Sequence, residues 1–255
     1  MAGYRSIRDQ TVELRPLNLL IGANGSGKSN FIGVFRLLNE IVNGRLQLYV
    51  AKSGGASQLL HFGRKVTEVI ELDLAWGPRR YHCDLIPAVD DSLVFAAETL
   101  ETPRAHSKAG AERAGKKESA LSASSNIPAS QEIRAALSGW RIYHFNDTSS
   151  SARLKQAADV HDNRFLRPDG ANLAAFLYQV QENRPDVFRT LEQTVRVVAP
   201  FFGTFQLQPD RLNPEKIRLE WQERGSDSYF NADALSDGTI RFICLATLLL
   251  QPELP

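Results

Sequence analysis

One short stretch constrains this chain more than any other. Gly22-Ala23-Asn24-Gly25-Ser26-Gly27-Lys28-Ser29 matches the pattern GxxxxGK[ST]. Ahead of it, Leu17-Asn18-Leu19-Leu20-Ile21 is an apolar run of buried-strand type. Behind it, Phe31, Phe35, Leu38 and Val42 recur at three- and four-residue spacing. That spacing predicts an amphipathic helix from about Lys28 to Asn43, stopped by Gly44. Residues 14–44 therefore read as strand, glycine turn, helix.

The pattern has a chemical reason. Glycines let the backbone wrap closely, so that successive N–H groups face phosphate oxygens. The following helix adds the positive end of its dipole. Lys28 would bridge the β- and γ-phosphates, and the Ser29 hydroxyl would ligate Mg²⁺. The expected cradle is Gly22, Asn24, Gly25, Ser26, Gly27, Lys28, Ser29 and Asn30. The plainer alternative is a glycine-rich turn with an incidental lysine. A chance match in a chain of this length is about a one-in-a-hundred event at average residue usage.

Composition excludes several classes. The chain has 255 residues, 43% of them hydrophobic and 23% charged, which is globular usage. No apolar run reaches the roughly 18–20 residues of a membrane span. The first ten residues hold no apolar segment of signal-peptide type. Cys83 and Cys244 are far apart, so neither a zinc site nor a disulfide framework is indicated, and a cytoplasmic setting is expected. A net charge of +1 shows no overall polyanion-binding bias.

The remainder divides by pattern. Ile70, Leu72 and Leu74, then Tyr81, Cys83 and Leu85, alternate with polar neighbours, and Leu93 to Ala97 offers a third strand. An antiparallel meander is expected over 66–100. Residues 102–130 carry few large apolar residues and read as a flexible, solvated insertion or, less simply, a basic nucleic-acid arm. Trp140 to Phe145 reads as a strand. Asn172 to Gln181 and Asp186 to Val198 read as helices of a helical subdomain over 170–200. Thr204 to Gln208 and Lys216 to Glu223 read as strands. Finally, Leu235-Ser236-Asp237-Gly238-Thr239 opens an apolar helix, Ile240 to Leu250, within 235–250; by itself this is an ordinary Ser cap with a glycine turn.

Taken together, Leu19 to Asn30 resembles the nucleotide loop of ABC-type ATPases of the RecF/SMC-like group, and Leu235 to Thr239 resembles their signature motif. Tyr4-Arg5-Ser6-Ile7, Tyr143 to Thr148 and Arg164 to Gly170 are similar to the bacterial "predicted ATPase" branch. The resemblance implies an α/β fold over 1–255: a single P-loop NTPase head with a mixed central sheet, an antiparallel β subdomain and a helical subdomain. It implies ATP and Mg²⁺ as cofactors and a homodimer through the nucleotide face. In that dimer Ser236, Gly238 and Thr239 of one copy would meet the γ-phosphate held by the other. DNA or an effector protein is the implied partner, in repair or defence, with no membrane. His144 to Asp147 would stand where such heads carry the Q-loop, although no glutamine is there; His144 otherwise reads as a packed strand histidine.

The same resemblance places a further strand ending in Asp-Glu after the signature helix, where this sequence reads Gln251-Pro252-Glu253-Leu254-Pro255. The expectation is an incomplete head lacking the C-terminal part of the core, its Walker B pair and its general base. Lys28 is then the only catalytic side chain present, with weak nucleotide binding and little hydrolysis. The alternatives are a non-catalytic nucleotide-binding regulatory subunit, a decayed fragment or, at greater remove, a P-loop kinase.

Overall fold

The computed structural model describes residues 1–103, 105–108, 114–122 and 128–251. The chain forms two compact units, 1–142 and 143–255.

The first unit is built on a six-stranded sheet in the order β2-β1-β3-β4-β5-β6. The strands are β1 (Ala2–Tyr4), β2 (Ile7–Asp9), β3 (Ile70–Trp76), β4 (Arg79–Pro87), β5 (Leu93–Thr102) and β6 (Ala105–Lys108). Period-2 alternation explains the meander: Ile70, Leu72, Tyr81, Cys83 and Leu85 are buried, while Glu71 and Asp73 face outward. Helix α1 (Lys28–Val42) buries Val34, Leu37, Leu38 and Ile41 in the same core. Short α2 (Leu46–Lys52) and α3 (Pro128–Ser138) complete it.

A bulge in β5 decides the burial of one acidic side chain. Asp84 pairs with Ala97 but Leu85 pairs with Phe95. The extra residue changes which side chains face inward, so Phe95 and Glu98 are both buried. The Glu98 carboxylate accepts from Tyr81 Oη at 3.0 Å, from the Ala120 N–H at 2.8 Å and from Ser119 Oγ. Those donors offset its desolvation.

The second unit packs α4 (Leu173–Asn183), α5 (Pro185–Val198) and α6 (Asp237–Leu250) with a three-stranded sheet, β8 (Phe202–Gln206), β10 (Glu220–Glu223) and β11 (Tyr229–Asn231). Strands β7 (Ala158–Asp159) and β9 (Lys216–Ile217) form a separate pair. Pro185 starts α5, where its missing N–H costs nothing. Leu177, Leu191, Val195, Phe202, Trp221 and Ile243 share the core.

Several expectations are corrected. Leu17 to Ile21 is not a strand and is not buried; Ile21 is 91% exposed and Leu19 77%. A strand exists only where a neighbour completes its ladder. Here the preceding chain turns locally instead: the Arg15 N–H donates to Asn18 Oδ1 at 3.0 Å and Asn18 Nδ2 returns to Arg15 O. Trp140 to Phe145 forms no strand either; the His144 N–H goes to Pro168 O at 2.7 Å. The expected strand over Lys216 to Glu223 is broken into β9 and β10. No mixed sheet is present among the described residues, since every paired strand is antiparallel.

The insertion over 102–130 is corrected as well, in its described part. It supplies β6 and the start of α3, and Ala120 and Leu121 are wholly buried. Glu118 takes the Leu46 and Gln47 N–H groups at the start of α2, both at 3.1 Å. Two carboxylates thus anchor a stretch whose low apolar content suggested solvation. Arg104 and Arg113, two of the basic residues of this stretch, lie outside the described residues.

Candidate functional site

In the first unit, the chain from Gly22 to Gly27 closes on the end of the Lys28 side chain. Nζ donates to Gly22 O and Ala23 O, each at 2.7 Å, and reaches Ser26 Oγ at 3.4 Å. The loop is braced by the Ser26 N–H on Ala23 O at 3.2 Å. Gly25 and Gly27 hold φ of +84° and +94°, the left-handed region that side chains disfavour. A β-carbon at Gly22 would lie 2.8 Å from Ser26 Oγ. Gly25 and Gly27 therefore answer a backbone need, while at Gly22 only the rotatable Ser26 hydroxyl stands in the way.

Gly27 is the N-cap of α1, and no side chain caps that helix. Its first turn holds no acidic residue. The positive end of this 15-residue helix thus has no carboxylate in its own first turn to compete with a ligand. Asn24, Gly25 and Ser26 are exposed, as is Ser29 in the first turn. Asn30 is turned aside: Nδ2 donates to Ser6 Oγ at 2.7 Å. Ser6 also lies 3.1 Å from where a β-carbon on Gly27 would sit. The tight turn between β1 and β2, with Arg5 at φ +50°, therefore buttresses the glycine loop. The sequence pattern assigns Ser6 no part in the loop, because the buttress depends on a contact between residues 24 positions apart.

The arrangement suits an anion. Lys28 is held by neutral carbonyls, and a phosphate oxygen is a stronger, charge-assisted acceptor. For Mg²⁺ the fit is narrower. Among the described residues no three His, Cys, Asp or Glu side chains gather to hold a metal. Ser29 would be the protein's ligand, with phosphate oxygens and waters filling the other positions, which is how Mg²⁺ is commonly held.

The second unit carries Ser236. Its side chain caps α6, accepting the Thr239 N–H at 3.1 Å, with Thr239 Oγ1 2.8 Å away. Thr239 is buried, whereas Ser236 and Gly238 are exposed. Arg241, one turn on, donates from Nη2 to Asn146 O at 2.8 Å and lies 3.3 Å from Thr148 Oγ1. It thereby ties the start of α6 to the His144–Thr148 segment. His144 is exposed, so it is not a packed core histidine. Asp147 accepts the Ser149 hydroxyl at 2.7 Å and its N–H at 3.1 Å, which hold its carboxyl below the usual range.

Among the described residues no helix is long and apolar enough to cross a membrane. No family model, curated protein or solved structure matches the chain.

Proposed function

We propose that this chain binds ATP with Mg²⁺ through Gly22 to Asn30, as a nucleotide-binding head of ABC type. The observation that carries the reading is the Lys28 ammonium, held 2.7 Å from two loop carbonyls at the uncapped start of α1. Lys28 exchanges those carbonyls for β- and γ-phosphate oxygens, and Ser29 presents its hydroxyl to the metal. Ser236 and the N-terminal end of α6 at Gly238 meet the γ-phosphate bound by a second copy. ATP then joins two heads, and loss of the γ-phosphate releases them. ATP hydrolysis, and action on DNA or an effector protein in the cytoplasm, extend this reading by family resemblance alone.

Isothermal titration with MgATP tests it. The expected result is a saturable heat for the wild-type chain, much weaker or lost in Lys28→Ala with an unchanged circular dichroism spectrum. No heat from the wild type overturns it. Phosphate release in the same preparations separates a hydrolysing head from a nucleotide-binding regulatory subunit.

A further inference from the structure

A second feature of the first unit lies apart from the glycine loop. Phe62 is 80% exposed and sits at φ +56°, a left-handed conformation that an aromatic residue adopts only under strain. The surrounding chain holds it there. The His61 N–H donates to Gly3 O at 2.9 Å, and His61 Nδ1 lies 2.7 Å from Arg5 O. Thr67 Oγ1 donates to His61 O at 2.5 Å, and its N–H to Gly63 O at 3.0 Å. The Phe62 ring leans on the His61 ring with centroids 4.4 Å apart. A rigid loop thus displays an aromatic face to solvent.

Beside that ring lies a cleft of about 570 Å³, whose walls include Gly3, Arg8, His61, Thr67, Glu68 and Glu71. Arg64 and Lys65 stand exposed on the same loop. Arg8, Arg64, Lys65, Glu68 and Glu71 make no ion pair among the described residues. Cations, carboxylates and a bare ring are therefore all available to a ligand.

The geometry points to this cleft as the seat of an unstacked nucleobase of a single-stranded nucleic acid. The base stacks on Phe62, as bases do on exposed aromatic platforms. Its exocyclic amine donates to Glu68 or Glu71, the contact by which carboxylates recognise cytosine. Arg8, Arg64 and Lys65 take backbone phosphates. Three unpaired cations exceed what one phosphate requires, which favours a strand over a free mononucleotide. The assignment is independent of the Lys28 loop.

Fluorescence anisotropy with labelled oligo(dC), about twelve nucleotides long to fill a typical site, tests it. Phe62→Gly is the informative variant, because glycine relieves the backbone strain while removing the ring. It should melt no lower than wild type yet bind about ten-fold more weakly, and Phe62→Trp should restore binding. The double variant Arg64→Ala, Lys65→Ala should reduce the log–log salt slope by about 1.4. Oligo(dT), without an exocyclic amine, should bind several-fold more weakly than oligo(dC), and Lys28→Ala should bind as wild type. Unchanged affinity in Phe62→Gly overturns the proposal. CMP competing as well as the oligonucleotide overturns the strand. Heparin binding that ignores Phe62, in place of oligonucleotide binding that depends on it, marks a plain polyanion surface and overturns it too.

Discussion

The hydroxyl of Tyr4 occupies the space that a side chain at Gly33 would need: a β-carbon there would lie 3.0 Å from Tyr4 Oη. Tyr4 is wholly buried, and its hydroxyl is 2.9 Å from that of Tyr49. Burial, with Tyr49 beside it, pushes the Tyr4 phenol well above its ordinary range, so it stays neutral. Glycine inside a helix is otherwise unfavourable by about 1 kcal/mol. The helix that begins at Lys28 accepts that cost to let β1 approach.

Gly33→Val should accordingly lower stability by about 1–3 kcal/mol, the range for overpacking a filled core. Tyr4→Phe in the same chain should recover part of the loss, because it removes the nearest atom. Urea denaturation of the two single variants and the double variant measures the coupling, and strict additivity would contradict the contact.

Replacing Lys28 by Ala should weaken MgATP binding by about 10- to 100-fold or more, the worth of a charge-assisted hydrogen bond to phosphate. It also leaves the Gly22 and Ala23 carbonyls without their ammonium partner. These carbonyls are exposed and water replaces the donor, so the melting temperature should move little.

Ser236 separates capping from assembly. Ser236→Ala should cost about 1 kcal/mol through loss of the cap on α6. Ser236→Asp keeps an acceptor for the Thr239 N–H and should retain stability, while its charge repels a γ-phosphate. Size-exclusion chromatography with MgATP should then show dimers for wild type and monomers for Ser236→Asp. Dimers in both would refute the trans contact.

Acid should remove one surface contribution in a defined direction. Arg80 donates to Asp73 from Nε at 2.8 Å and Nη2 at 2.6 Å, which holds the Asp73 carboxyl below its usual range. A depressed folded-state pKa stabilises above the unfolded value near 3.9, and that stability fades as pH falls through the folded value. Asp73→Asn should therefore melt lower than wild type at pH 7, with the gap closing towards pH 3 and below. The pair is partly exposed, so the gap should not exceed about 1 kcal/mol.

Both thiols should be silent in the folded chain. Burial raises the Cys83 thiol far above its ordinary value and pushes Cys244 up to about 12. Ellman's reagent at pH 8 should label neither until guanidinium unfolds the chain, when both react. Immediate labelling of either would contradict its burial.

Local periodicity determined a great deal by itself. The alternation at Ile70–Trp76 and Arg79–Pro87 specifies strands whose faces differ. The three- and four-residue spacing specifies α1 and α5, and the glycines before Lys28 specify a loop that only a few backbone conformations allow. Each of these preferences is settled within a few residues. The tertiary structure decided whatever needed a partner from afar. Leu17 to Ile21 has the composition of a strand, yet no neighbouring strand completes its ladder among the described residues. Glu98 is buried because a bulge turns it inward and Ser119 and Ala120 meet it there. Phe62, apolar enough for a core, stands in solvent because bonds to Gly3, Arg5 and Thr67 hold the chain beside it. For Glu98 and Phe62 the deciding partners include residues remote in the chain, Ser119 and Ala120 for the one and Gly3 and Arg5 for the other, which no local pattern encodes.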